Sequence, residues 1–497
     1  MGNSRVAQLE ARIEELLNET SSYKQALLVE EKCKSQQKYE EELQKIVQLN
    51  TQTPIYTDKK IPSERFYDVL FHLKNISKPD LNPRILLRSS HVFRSPPRLV
   101  IGIPTIYREK HNYLIDTIKS LFENIQPEEK FLVKFVVLFA EMNYENAEHV
   151  KSTVELLSSN FKEFIHEGLV EAIMPPEHWY PPDLKHIAPT FNDSQERMFW
   201  RTKQCLDYVY LMLYARYFYS ESDYYVQLED DVITVPGYTS AMIHFATTRN
   251  DWLSCDFSAL GFIGKLFRVS DLPLITDFTL LFYREKPVDW IFDQLFLVKY
   301  CHHEEGNCIK KRINGVRRLY RKPPLFQHVG HFSSLTGKTQ NLKEKSFKKK
   351  TQYVANVTET KNPPNVKLES SVVVPELEAS LLKFYQHGLP FIIEDPTVGS
   401  FVSATYEDSI TVKDIMINFA YILLENASTP FYGIPFEVSV HELQSSANES
   451  DAFMHDLVSS SNSVFYHVFD PTVSISKIQV RVAREVSKLI LYSIRIS

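Results

Sequence analysis

Glycine is scarce in this chain, with 13 among 497 residues, well below the usual level of about 7%. Neither a G-x-G-x-x-G nor a G-x-x-x-x-G-K-[ST] pattern occurs, so both glycine-rich phosphate-binding fingerprints are excluded. A nucleotide would have to be held some other way. No stretch reaches the roughly eighteen apolar residues of a membrane helix. The opening MGNSRVAQLEARIEEL lacks the apolar centre of a signal peptide, and Val6 stands where a myristoylation pattern wants Ser or Thr. The expectation is a chain with no visible anchor. Basic excess is missing too: 56 Lys and Arg face 62 Asp and Glu, a net charge of −6, which argues against nucleic acid as a partner. The five cysteines show no C-x-x-C and no Cys/His metal spacing. Cys301 and Cys308 enclose a short polar loop and are candidates for a disulfide in an oxidising compartment, two free thiols being the alternative. Six Asn-x-Ser/Thr sequons, at Asn18, Asn75, Asn192, Asn356, Asn426 and Asn448, permit a secretory location.

Composition changes along the chain mark its organisation. Residues 1–50 contain no proline and space Val6, Leu9, Ile13, Leu16, Tyr23 and Leu27 by helical steps. They read as a helical or coiled-coil stem, or as an amphipathic helix lying on its own domain. Prolines 54, 62, 79, 83, 96 and 97 mark residues 51–97 as a linker. Residues 98–337 alternate apolar strands (98–104, 134–140, 168–174, 223–231) with helices (113–124, 147–160, 197–217). That order predicts an α/β domain built on a mainly parallel sheet. Lysines crowd 338–364, which reads as a basic linker. Short β-rich runs over 365–497 predict an antiparallel sandwich.

The sharpest chemical signal is VQLEDDVI, Val226 to Ile233. A strand ends there in Glu229, Asp230 and Asp231, at the sheet edge where open α/β folds bind ligands. Crowded carboxylates repel unless a cation shares them. A hard divalent ion such as Mn²⁺ or Mg²⁺ suits oxygen ligands and would hold a diphosphate. An ordinary acidic turn after a strand is the competing explanation.

Several separated motifs carry a resemblance. They are GIPT (102–105) with Arg108-Glu109, PEEK (127–130), WRTKQ (200–204) with Asp207-Tyr208, QLEDD (227–231), GFIGK (261–265), FYREKPVDW (282–290) with Asp293, and LFQHVG (325–330). In these runs the chain resembles the alpha-1,3-mannosyl-glycoprotein 4-beta-N-acetylglucosaminyltransferase family, as a divergent, transferase-like member. The resemblance implies a GT-A-type domain with UDP-GlcNAc as donor, Mn²⁺ or another divalent cation as cofactor, and a Golgi location. The expected reaction is inverting transfer of GlcNAc in β1,4 linkage to the core α1,3-mannose of an N-glycan carried by a glycoprotein. The alternative is a catalytically inactive member that binds or regulates other Golgi glycosyltransferases, through its stem or sandwich, with self-association of the stem also possible. By the same resemblance Asp231 and His328 would hold the metal. Glu229, Asp230, Arg108, Gly261 and Lys265 would meet the donor.

Inversion needs a carboxylate to take the acceptor hydroxyl's proton. Asp289, beside Trp290, is preferred over Asp293, with Glu285 third. Arg108, Arg197, Arg201 and Lys203 are candidates for the diphosphate or for pairing with helix-face acids. The His302–Glu305 run reads as a polar loop. Three departures from the family pattern stand out: Asn143 in place of an acid, His331-Phe332 after HVG, and a sandwich without tryptophan. Tyr385, Tyr406 and Tyr432 would be that sandwich's candidates for stacking on sugar, or simply packed sheet residues.

Overall fold

LVIGIPT and VKFVVLF are nearly continuous apolar runs, as strands buried on both faces require. They form β2 (Leu99–Thr105) and β3 (Val133–Phe139), which pair in parallel at the centre of the first domain. This computed structural model describes residues 59–497 apart from 90–95, 127–128, 131, 143–146, 248, 250, 303–306, 321–322, 336, 349–361, 373, 375, 388–389, 423–433, 443–453 and 457–463. The expected stem (1–50) and Asn143 lie outside the described residues.

Around the central pair stand β1 (Arg84–Leu87), β4 (Val170–Met174), β5 (Tyr224–Gln227), β6 (Val232–Thr234), β7 (Ser254–Asp256), β8 (Lys265–Arg268), β9 (Arg317–Leu319) and β10 (Phe326–His328). The main sheet runs β1-β4-β3-β2-β5-β8-β7-β9, and β6 pairs separately with β10. The block β4-β3-β2-β5 is parallel; β1 and β8 join it antiparallel, β7 runs antiparallel to β8, and β9 pairs in parallel with β7. The sheet is therefore mixed rather than mainly parallel. Helices α1 (Leu114–Glu123), α2 (Ala147–Asn160), α3 (Gln195–Phe218), α4 (Tyr238–Thr247), α5 (Leu272–Phe282) and α6 (Val288–Tyr300) complete the domain. Ser194 caps the 24-residue α3, its hydroxyl accepting from the Arg197 amide at 3.2 Å.

Two stretches expected as linkers are partly built into the fold. Between the prolines of 59–89, Phe66, Leu70, Leu73 and Leu81 are buried in one cluster with Trp179 and Tyr210, and β1 extends the sheet. Proline ends regular structure without preventing the apolar residues between prolines from docking. In the basic stretch, Phe347 packs on the core, and Glu344 accepts hydrogen bonds from the Ser258 hydroxyl and the Ala259 amide.

The C-terminal part is an antiparallel β-sandwich. Its strands are β11 (Val366–Ser370), β12 (Phe391–Glu394), β13 (Phe401–Ile422), β14 (Phe436–Glu442), β15 (Met454–Asp456), β16 (Val464–Val482) and β17 (Lys488–Ile496), with helix α7 (Leu377–His387) packed alongside. The 22-residue β13 changes partner along its length, from β16 to β17 at Ile415. Ile490 and Tyr492 of β17 join the α/β core. Tyr385 and Tyr406 are buried with their hydroxyls 3.1 Å apart, and Tyr385 donates to the Pro363 carbonyl at 3.0 Å. Both are packing residues; Tyr432 lies outside the described residues.

One charged group anchors the sheet edge. Glu171 in β4 is fully buried and accepts from Arg88 Nε (2.9 Å), Tyr214 Oη (2.8 Å) and Tyr219 Oη (2.7 Å). Burial pushes its carboxyl upward, but Lys134, Arg88 and the two tyrosines outweigh this and hold it at about 2. The carboxylate's contribution is complete above the ordinary range near 4.5 and is lost as pH falls toward 2. Glu171→Gln is expected to cost about 3–5 kcal/mol at neutral pH by leaving Arg88 buried without its charge partner. Denaturant titrations at pH 7 and pH 3 check this, the difference from wild type shrinking at the lower pH.

Candidate active site

The chain leaves the main sheet after Gln227, and three carboxylates occupy the turn before β6. Asp230 is tied down completely. Its oxygens accept Arg108 Nη1 and Nη2 at 2.6 Å each and Thr105 Oγ1 at 2.7 Å. Its backbone carbonyl accepts Thr117 Oγ1 at 2.7 Å, and that oxygen in turn accepts the Val232 amide at 3.0 Å. The turn is thereby fastened to β2 and α1. The β6–β10 ribbon then sets His328 opposite Val232, and the Val329 amide donates to the Asp231 carbonyl at 2.8 Å. His328 Nε2 lies 3.4 Å from Asp231 Oδ2.

Glu229, Asp231 and His328 bring one ligand atom each to within 4.8 Å of one another. Asp231 Oδ1 is buried with no hydrogen-bond partner, a state that buried carboxylate oxygens rarely tolerate. Burial, and then the charge of Asp231, push the Glu229 carboxyl up to about 7. Burial alone would lower the His328 imidazole, but its bond to Asp231 and the surrounding carboxylates raise it. Two oxygen donors, one imidazole, excess negative charge and an unsatisfied oxygen fit a divalent cation such as Mn²⁺.

Two cavities flank this group. One of about 320 Å³ is lined by Thr105, Arg108, Lys203 and all three acids. The other, about 220 Å³, is lined by Gly261, Asp289, Trp290, Arg201 and His328. They share Glu229 and a row from α3, Trp200, Gln204 and Tyr208, four residues apart and so on one helical face. Tyr208 Oη donates to Glu229 Oε1 at 3.3 Å.

Residues 61–347, which hold every one of these groups, match the family described as MGAT4 conserved region. The chain belongs to that family. It is 37% identical over 376 residues to alpha-1,3-mannosyl-glycoprotein 4-beta-N-acetylglucosaminyltransferase A of Mus musculus, covering 73% of this chain and 65% of that one. To the B protein of Homo sapiens it is 43% identical over 298 residues, 59% of this chain and 50% of that one. To the B protein of Danio rerio it is 44% identical over 264 residues, covering 52% and 47%. The chain thus spans about half to two thirds of the curated relatives it matches. Among solved structures, a chitosan-binding module from a Paenibacillus chitosanase/glucanase aligns with 27% of this chain and 95% of that one, at 8% identity and TM-score 0.20, a likeness that carries no argument.

Within this MGAT4-type domain the expected site residues separate into three groups. Arg108, Glu229, Asp230, Asp231, Gly261, Asp289 and His328 come together around the two cavities. Asp230, however, is spent on Arg108 and Thr105, whereas Glu229 joins Asp231 and His328. Lys265 and Asp293 do not belong to the site. Lys265 is buried against Asp256 at 3.0 Å and the Ser258 carbonyl, and Asp293 is held by Arg317 at 2.6 Å. Arg197 and Arg201 pair with Asp193, and Lys203 with Asp207. Glu285 lines neither cavity. Cys301 and Cys308 are joined in a disulfide with Cα atoms 5.7 Å apart. His331 packs on Phe332 and faces Asn341, and residues 303–305 of the adjacent polar run lie outside the described ones.

Tyr208, Thr117 and Gly330 were not singled out from the sequence, although Tyr208 and Gly330 sit inside the quoted motifs. Gly330 matters through contact: a Cβ there would collide with the Asp231 carboxylate. Gly330→Ala is therefore expected to push Asp231 off the group and weaken Mn²⁺ binding at least tenfold, leaving the fold intact. Calorimetric Mn²⁺ titration beside a circular dichroism melt checks both halves.

Proposed function

We propose that this chain is a GT-A-type transferase moving GlcNAc from UDP-GlcNAc, in β1,4 linkage and with inversion, to the core α1,3-mannose of N-glycans in the Golgi. The single observation carrying this reading is the convergence of Glu229, Asp231 and His328, with one Asp231 oxygen unsatisfied, between two cavities. The family relatives bear the name of that activity. The cavity holding Arg108 takes the nucleotide diphosphate, and the cavity holding Asp289 takes the acceptor sugar. Asp231, His328 and Glu229 would hold the divalent cation, which supplies neutralisation of charge on the departing UDP.

Asp289 acts as general base. Its Oδ1 accepts the Trp290 amide at 3.1 Å, which orients the carboxylate and leaves Oδ2 for the proton of the attacking hydroxyl. A base in one cavity and the leaving group in the other is the arrangement that displacement with inversion needs. Arg108 fixes Asp230, and through it the turn, so the flanking acids keep their places when the donor enters.

UDP is expected to bind in the presence of Mn²⁺ and to lose that binding in EDTA or in Asp231→Ala. Equal calorimetric affinity with and without the metal would sink the metal role. Asp289→Asn is expected to keep donor affinity and to lower turnover by about 10²–10⁴ in a radiolabelled transfer assay with a biantennary acceptor. Wild-type protein that binds UDP and transfers nothing would move the reading to a non-catalytic, glycosyltransferase-binding member.

A further inference from the structure

Phe191 and Trp290 form an edge-to-face pair with centroids 5.5 Å apart and planes at 73°. They are unusual in being left open, 56% and 47% exposed, although each carries a large apolar surface that normally favours burial. Trp290 lines the smaller cavity next to Asp289. Phe191 and Asn192 both adopt left-handed backbone, with φ of 57° and 56°, which is costly for an aromatic residue. The turn persists because both flanks are pinned. Thr190 Oγ1 accepts Arg201 Nη2 at 2.5 Å and donates to the Glu285 carbonyl at 3.2 Å, while Asp193 accepts Arg201 Nε at 2.8 Å. The Arg201 guanidinium also lies 5.9 Å from the Phe191 ring centroid. Arg201 itself is fully buried, so it braces the turn from beneath.

A strained turn and two open rings thus meet beside the cavity, Trp290 lining it and Phe191 packed edge-on against Trp290. We infer that Phe191 and Trp290 form the acceptor-sugar subsite, their aromatic corner taking the apolar face of a pyranose, with the buried Arg201 bracing the turn that presents Phe191. Asp289, one residue from Trp290, then stands within reach of a hydroxyl of the seated glycan. This rests on the transferase reading for the identity of the sugar, an N-glycan mannose or its neighbour. Phe191 is a binding residue: it holds the sugar and touches no breaking bond.

The test uses the full chain with UDP and Mn²⁺ present, a biantennary N-glycan as probe, and calorimetry alongside acceptor kinetics. Phe191→Ala is expected to raise the glycan Kd, and the acceptor KM, about tenfold. kcat and UDP affinity should stay within twofold, and Phe191→Tyr should restore the wild-type values. Trp290→Ala should weaken the glycan similarly. Unchanged glycan affinity in Phe191→Ala overturns the subsite, and so does a parallel loss of UDP affinity or melting temperature, which would make the turn merely structural. Wild-type protein that binds UDP but no glycan at millimolar concentration overturns the subsite and leaves the donor reading standing. Phe191-dependent glycan binding without UDP binding does the reverse.

Discussion

The bidentate bond between Arg108 and Asp230 is the constraint on which the site depends. Three consecutive carboxylates at a buried strand end are a problem in electrostatics. Two like charges 4 Å apart repel by about 4 kcal/mol at an effective dielectric of 20. Arg108 removes one of the three from the account, and the two threonines lock the same residue to β2 and α1. The turn is then rigid, and its neighbours on either side cannot relax apart. Burial, and then the charge of Asp231 beside it, make Glu229 hold its proton more tightly, at about 7, and Asp231 keeps an oxygen with no partner. A proton on Glu229 is one relief; a cation shared with His328 is a larger one.

The rest of the fold supplies what that turn lacks. His328 comes from far along the chain, and only the pairing of β10 with β6 brings it opposite Val232. From the other side, α3 presents Trp200, Gln204 and Tyr208 as one stripe, with the Gln204 amide donating to Tyr208 Oη at 3.2 Å. On the adjacent face Lys203 and Asp207 are buried together, and Lys203 also donates to the Ala140 carbonyl at the end of β3. That bond fixes the rotation of the helix about its axis, and hence which stripe faces the acids. Helix and sheet are registered by a charged pair, not by apolar contact alone.

Legibility in the sequence followed the physics of each signal. Apolar runs and helical spacing placed β2, β3, α1 and α3 within a few residues, because burial on both faces or on one stripe leaves a periodic trace. The acidic turn was legible for the same reason, since carboxylates seldom end a buried strand without a use. The segment 59–89 was misread because prolines were weighed above the apolar residues between them. Phe191 was invisible: its importance lies in a left-handed turn and in Arg201, ten residues on along the chain, whose guanidinium lies 5.9 Å from its ring centroid, neither of which has a sequence pattern. Charge identity likewise says nothing about partner, so Lys265 and Asp293 read as site residues while being something else.

Those two misreadings are one structure. Asp293 binds Arg317, Arg317 Nε binds Asp256 at 2.8 Å, and Asp256 binds Lys265. The four residues tie α6, β9, β7 and β8 together beneath the cavities. Asp289 and Asp293 are four apart on the same helix, yet they diverge in use. Helical side chains lean toward the N-terminus, so Asp289 in the first turn overhangs the opening, while Asp293 one turn later meets the sheet. The network therefore fixes the height and rotation of α6, and with them the position of Asp289. Motif residues that never touch a substrate can be held in place by such a requirement as firmly as those that do, which is why a motif match names the neighbourhood of a site but not its members.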